Sequence, residues 1–283
     1  MTLSIYLPLL FTAILVSSCS AVSQQAEHDS VSGDPVSKNT LVKETKAFAD
    51  VVAVTSSLSN KYGEGNVLIV MDIDNTILTS TTDLGSDVWY QWQRGKLDIK
   101  PTPQQKVSCL FEDSIGLLYE LAPMKLTENH LSLTISNWQQ SGHPVIALTS
   151  RAPIYRAATE RELGRNKVDL VSSALAPVGQ DSLLLREKKG REISYMQGVM
   201  MTSGLNKGEM LQYLLEKTGR EFAAIVFIDD SQKNIDDMNK IYQNVKNVDM
   251  RIFHYTHIED EREKQFGQVL TQAQANIMAE QWK

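Results

Sequence analysis

The chain has 283 residues, 42% of them hydrophobic, and a formal net charge of -6 at pH 7. That is enough apolar material for a packed core, and the length suits one domain carrying a sizeable insertion. The acidic balance speaks against a binder of polymeric nucleic acid, which needs a basic face, but leaves phosphate esters open because a metal ion can supply local positive charge.

Residues 1–18 carry no charged side chain, and an apolar run extends from Ile5 to Val16. The run is shorter than the roughly 20 residues of a membrane span and fits the apolar region of a signal peptide. Val16-Ser17-Ser18-Cys19 resembles a bacterial lipobox, in which small residues precede a cysteine that is lipidated and becomes the new N-terminus. Ordinary signal cleavage nearby, with Cys19 incidental, is the alternative. Residues 1–19 are therefore read as a signal peptide with lipobox, and residues 20–40, where Ser, Gln, Asp, Gly and Asn prevail, as a flexible tether. The chain is expected in the cell envelope or periplasm, anchored to a membrane through Cys19, or secreted. Lipidation of Cys19 would leave Cys109 without an intrachain partner, as a buried packing residue.

Apolar spacing over residues 41–59 predicts an amphipathic helix, and two glycines in 60–66 predict a turn. Val67 to Met71 is a continuous apolar run suited to a parallel strand buried on both faces. Further runs at Val145–Leu148, Val168–Val171, Gly198–Met201, Ala223–Ile228 and Arg251–Phe253 alternate with helical patterns. One helix starts at Pro153 and stops at Gly164; a second is capped by Asn206 and closed by Gly219; a third is capped by Ser231. Residues 258–281 read as a last polar helix, and residues 172–194 as a loop or hairpin with a charged tip. Residues 79–141 break the alternation, with helical patterns near Gln104–Leu121 and Glu128–Gln140. The aromatic cluster Trp89, Tyr90 and Trp92 in this stretch is read as packing within the insertion in preference to stacking on a substrate. The expected fold is α/β, a Rossmann-like, mostly parallel sheet flanked by helices, with a core of 41–78 and 142–283 and a small helical cap at 79–141 inserted after the first strand.

Asp72-Ile73-Asp74-Asn75-Thr76 follows the first buried strand. Ligands of open α/β sheets bind at the carboxyl ends of strands, and two carboxylates two residues apart there can serve as nucleophile and proton-transfer group. An acidic turn after a strand would look the same, so other segments decide. Thr149 ends a second strand run, Lys207 opens a helix after a third, and Asp229-Asp230 ends a fourth. In this order and position the four segments resemble the motifs of the haloacid dehalogenase-like (HAD) phosphatases, from about Asn66 to Thr256. The resemblance implies Asp72 as nucleophile, Asp74 as acid/base, and Thr149 and Lys207 as holders of phosphate oxygens. It also implies Mg²⁺ bound by Asp72, the Asp74 carbonyl, Asp229 and, directly or through water, Asp230, which could instead orient Lys207. Asn234 would help to fix that loop.

Trp89-Tyr90-Gln91-Trp92 and Thr149-Ser150-Arg151 are similar to segments of class B and class C acid phosphatases. The Asp229-Asp230 pair followed by Asn234 departs from the class C pattern and looks more like exported bacterial HAD-like proteins known only as a domain of unknown function. The implied activity is Mg²⁺-dependent hydrolysis of a small phosphorylated molecule through an aspartyl-phosphate on Asp72. A HAD-fold surface or secreted binding lipoprotein with weak or no activity, and a phosphotransferase, are the rival readings. His254 and His257, three apart, have no third ligand candidate nearby in sequence and are expected in surface or packing roles.

Overall fold

The structure, a computed structural model, describes residues 40–267 and 269–283. The expected signal peptide, Cys19 and the tether up to residue 39 lie outside the described residues. Strand β1 (Thr40–Thr45) and helix α1 (Phe48–Tyr62) precede β2 (Val67–Met71). An excursion follows: β3 (Leu78–Ser80), α2 (Asp87–Gln93), a π-helical turn at Leu110–Ser114, α3 (Ile115–Leu121) and β4 (Met124–Leu126). Helix α4 (Leu131–Gln140) leads to β5 (Val145–Thr149), and a 3₁₀ turn at Pro153–Tyr155 leads to α5 (Arg156–Arg165). The hairpin of β6 (Leu185–Lys189) and β7 (Arg191–Met196) runs into β8 (Val199–Met201) and α6 (Lys207–Thr218). Then come β9 (Ala224–Asp229), α7 (Gln232–Tyr242), β10 (Asp249–Tyr255), α8 (His257–Phe266) and α9 (Gln272–Trp282).

Eight strands form one sheet in the order β1-β10-β9-β2-β5-β8-β7-β6, and only the β8-β7 and β7-β6 pairs are antiparallel. The fold is thus α/β with a mostly parallel sheet. All five residues of β2 are buried, because helices cover both faces of the strand. Its odd-numbered residues Val67, Ile69 and Met71 pack with Phe48 and Val51 of α1 and Leu131, Ile135 and Trp138 of α4. Its even-numbered residues Leu68 and Val70 pack on the other face with Leu211 and Leu214 of α6 and Ile235 and Met238 of α7. From β2 the chain moves outward to β5 and β8 on one side, then returns to β9 and β10 on the other. That reversal opens a crevice at the carboxyl ends of β2, β5 and β9, where Asp72, Thr149 and Asp229 stand.

The interval 79–141 is divided in its packing. Trp89 and Trp92 of α2 and Leu118 of α3 form a third apolar cluster with Leu270, Ala275 and Met278, and Trp89 lies 5.9 Å from Trp282 of α9. Helix α4 instead belongs to the core under the sheet. Helical periodicity reports that a face is apolar, not which surface it meets, so both patterns look alike in sequence.

Other differences have local causes. Residues 40–45 form an edge strand ahead of the helix expected over 41–59; pairing with β10 decides this, not periodicity. Val168–Val171 forms no strand, although Val168 and Leu170 are buried against the core. The helix expected to stop at Gly164 runs on to Arg165, and the turn that follows places Lys167 at a φ of 58°. The single helix expected over 258–281 is two, broken at Gly267, where φ is 80°. Within Gln104–Leu121 only α3 is α-helical, after the π-turn. Cys109, expected to be buried, is exposed, in a left-handed conformation ahead of that turn. No helix among the described residues is long and apolar enough to cross a membrane.

Candidate active site

Asp72 is the first residue beyond β2, and its amide donates to the Ile228 carbonyl of β9 at 2.9 Å, fixing the two strand ends together. The chain then turns sharply. The amides of Thr76, Ile77 and Leu78 all point to the Ile73 carbonyl, and Asn75 takes a φ of 54°, a left-handed conformation that asparagine tolerates. This turn leaves Asp72 facing inward and Asp74 facing the mouth of the crevice.

Lys207 is the first residue of α6, a helix capped by the Asn206 side chain, which accepts from the Glu209 amide at 3.1 Å. Its side chain is wholly buried, and its Nζ lies 2.7 Å from Asp72 Oδ1 and 2.6 Å from Asp229 Oδ2. The other Asp229 oxygen accepts from the Ser231 amide and from Asn234 Nδ2, each at 2.9 Å. Ser231 stands at the N-cap of α7, but its side chain makes no capping bond; the Asp229 carboxylate takes up the Ser231 amide instead. Asp230 Oδ2 accepts from Asn75 Nδ2 at 3.1 Å, joining the β9 loop to the β2 loop.

Carboxylate oxygens of Asp72, Asp229 and Asp230 lie within 4.8 Å of one another, a grouping able to hold a metal ion. Three carboxylates against the one ammonium of Lys207 leave two uncompensated negative charges if all are ionised. The cost appears at Asp72 and Asp230. Burial pushes the Asp72 carboxyl up to about 7, with Asp229 and Asp74 adding to the rise and Lys207 opposing it. Burial, with Asp229 and Asp72 beside it, raises Asp230 well above the usual carboxylate range. Burial alone would lower Lys207, yet Asp229 and Asp72 hold it above its ordinary value. Such a set of hard carboxylate oxygens suits a hard divalent cation.

Asp74 stands outside this grouping. Both of its oxygens are held by Arg151, Nε to Oδ2 at 2.9 Å and Nη2 to Oδ1 at 2.7 Å. Thr149 ends β5, where Ala147 pairs with Met71 of β2, so it lies alongside Asp72 at the sheet edge. Its hydroxyl accepts from the Arg151 amide at 3.2 Å, and its carbonyl accepts from the Thr202 amide and hydroxyl. The sheet therefore brings Asp72, Thr149, Lys207, Asp229 and Asp230 to one crevice, with the Asp74 carboxylate turned aside at its rim. His254 donates from Nε2 to the Asp230 carbonyl at 3.0 Å, and His257 contacts the Lys46 carbonyl through Nδ1 at 2.9 Å; neither joins a metal grouping among the described residues.

Arg151 and Tyr119 carry no role in the sequence reading. The signals for Arg151 were the Thr149-Ser150-Arg151 segment and its place two residues after a strand end, where a loop can turn a side chain back over the crevice. Tyr119 lies in the excursion after β2, and nothing local points it towards Arg151.

A family model described as "Protein of unknown function (DUF2608)" matches residues 44–283. The chain belongs to this family. A Chlamydia pneumoniae protein described as "Putative outer membrane protein" is 22% identical over 174 residues, which cover 62% of this chain. The match spans 63% of that protein's own length. Among solved structures, the class C acid phosphatase from Bacillus anthracis is similar at 14% identity and a TM-score of 0.39, with 83% of this chain and 89% of that one covered.

Proposed function

We propose that this DUF2608 protein is a HAD-type, Mg²⁺-dependent phosphomonoesterase acting on a small phosphorylated molecule in the cell envelope, with Asp72 as the nucleophile. The observation that carries the reading is the buried Lys207 bridging Asp72 and Asp229 within an acidic cluster at the carboxyl edge of the sheet. A phosphoryl group in transfer carries spread negative charge, so its catalysis is mainly positioning and charge stabilisation. Asp72, Asp229, Asp230 and the Asp74 carbonyl would hold Mg²⁺, which would supply positive charge at the phosphoryl oxygens and relieve their repulsion from Asp72. Lys207 and the Thr149 hydroxyl hold the remaining oxygens.

The first step forms a bond from an Asp72 carboxylate oxygen to phosphorus and breaks the phosphorus–ester oxygen bond. Asp74, in its acid form, gives a proton to the departing oxygen and so becomes a carboxylate. In the second step Asp74 takes a proton from water as the water oxygen bonds to phosphorus, and the bond to Asp72 breaks. Inorganic phosphate leaves, and both aspartates return to their starting states. Export is supported by residues 1–19 and by the description of the Chlamydia relative, with Cys19 as the lipid anchor on the membrane.

Purified protein lacking residues 1–19 is expected to hydrolyse 4-nitrophenyl phosphate with Mg²⁺ and to stop in EDTA. Asp72→Asn should abolish turnover while keeping the circular dichroism spectrum and melting transition of the parent. Full activity in that variant would overturn the mechanism.

A further inference from the structure

Arg151 is almost wholly buried, while the Asp74 side chain it grips is 39% exposed at the mouth of the crevice. Every polar nitrogen of the guanidinium is committed. Nε and Nη2 take the two Asp74 oxygens, Nη2 also approaches Met124 Sδ at 3.1 Å, and Nη1 donates to Thr159 Oγ1 at 3.0 Å. Above the guanidinium lies the Tyr119 ring, its centroid 4.0 Å from Arg151 Cζ. Tyr119 belongs to α3, which is fastened over α5 and the turn before it. Arg161 donates to the Tyr119 carbonyl at 2.8 Å, Tyr155 donates to the Phe111 carbonyl at 2.9 Å, and the Tyr119 and Tyr155 rings lie 5.1 Å apart.

Taking the Arg151 charge out of water offsets much of its attraction to Asp74, so the pair is a poor device for stability. A guanidinium fork on both oxygens does something else: it sets the plane and position of a carboxylate, which a lysine ammonium cannot reproduce. We propose that Arg151 is a positioning residue that places the Asp74 carboxyl at the mouth of the site, and that Tyr119 of the excursion after β2 seats Arg151 for that task. The inference rests on the proposed phosphatase reading, in which Asp74 delivers the proton to the leaving oxygen. The excursion therefore acts on the acid through Arg151 and not by touching the phosphoryl group.

The test separates proton delivery from phosphate binding and from mere structure. A phosphomonoester with a good leaving group, such as 4-nitrophenyl phosphate, needs little help from an acid; glycerol phosphate, which releases an alkoxide, needs it fully. kcat/KM is measured for both esters in the wild-type protein, Arg151→Lys and Tyr119→Leu, alongside inhibition by inorganic phosphate and the melting temperature. The expected result is a loss on glycerol phosphate larger than that on 4-nitrophenyl phosphate by at least about tenfold in Arg151→Lys, a fraction of the roughly 10²–10⁴-fold that a general acid contributes. Phosphate inhibition should be unchanged, and Tyr119→Leu should show the same pattern at smaller size. Equal losses on both esters, or weakened phosphate inhibition with equal losses, would overturn the inference while leaving the phosphatase reading standing. A wild-type protein that hydrolyses neither ester would remove both. Should Arg151→Lys fail to fold, Tyr119→Leu, whose ring sits above the pair and not within it, still decides the matter by the ratio of its two losses.

Discussion

Replacing Lys207 with methionine keeps an unbranched apolar stem and removes the terminal ammonium with its charge. In the wild-type protein that charge lies 2.7 Å from Asp72 and 2.6 Å from Asp229, with no exposure to water. Breaking a buried pair by removing one partner costs about 3–5 kcal/mol, because the carboxylates left behind are neither paired nor hydrated. For a chain of this size that corresponds to a melting temperature lower by on the order of 10 °C. The deficit should depend on pH, and the sign follows from Asp72. Its folded-state pKa is already up to about 7, against an ordinary value near 3.8, and Lys207 is the group that restrains the rise. Without Lys207 it rises further, so the folded variant binds a proton that the unfolded chain does not. Stability of the variant is therefore retained at low pH and falls as pH rises from the unfolded pKa through the folded one. Urea unfolding of both proteins in EDTA at pH 5.5 and 8.5 measures this. The difference between wild type and variant should be clearly larger at pH 8.5. An equal deficit at the two pH values would refute the electrostatic reasoning and leave only lost packing of the lysine stem.

Three further outcomes are expected. Divalent cation should stabilise the wild-type protein, by about 2.7 kcal/mol at a hundredfold excess over its dissociation constant, with a much smaller gain in Asp230→Asn; a melting curve indifferent to Mg²⁺ would count against the acidic group as a metal site. Burial pushes the Glu162 carboxyl up, but the Met124 amide, Arg161 and Arg165 together outweigh burial and bring it below its ordinary value. Glu162→Gln should therefore lose about 1.5–3 kcal/mol at neutral pH, and the gap to wild type should close as pH falls through the depressed folded pKa, read by denaturant titration from pH 7 to pH 3. Gly198 has a φ of 77°, and a Cβ there would lie 2.3 Å from the Leu170 carbonyl oxygen, so Gly198→Ala should destabilise by more than about 1 kcal/mol in a thermal melt; an unchanged melting temperature would show that the Leu170 segment yields freely.

Much of this protein is legible in its sequence, and the reason is locality. A strand buried on both faces must be apolar at every position, so Val67 to Met71 declares itself and points to the residues that follow it. Asn206, Lys207 and Gly219 mark the two ends of α6 by capping and left-handed chemistry that operates within a few residues. Asp72, Asp74 and the Asp229-Asp230 pair could be singled out because each stands directly after such a strand. What the sequence left undecided is set by partners distant along the chain. Residues 40–45 become a strand because β10 offers them an edge, and α4 joins the core because its apolar face meets β2 and β5. Asp74 is turned from the acidic group to the rim by an arginine 77 residues away, beneath a tyrosine delivered by a different helix. Periodicity and capping act over one or two turns of chain, whereas these contacts exist only once the sheet order has set strand ends side by side. The sequence by itself singled out the acids, the threonine and the lysine at the strand ends; the tertiary structure alone decided that Lys207 bridges Asp72 and Asp229 while Arg151, beneath Tyr119, holds Asp74 apart from them.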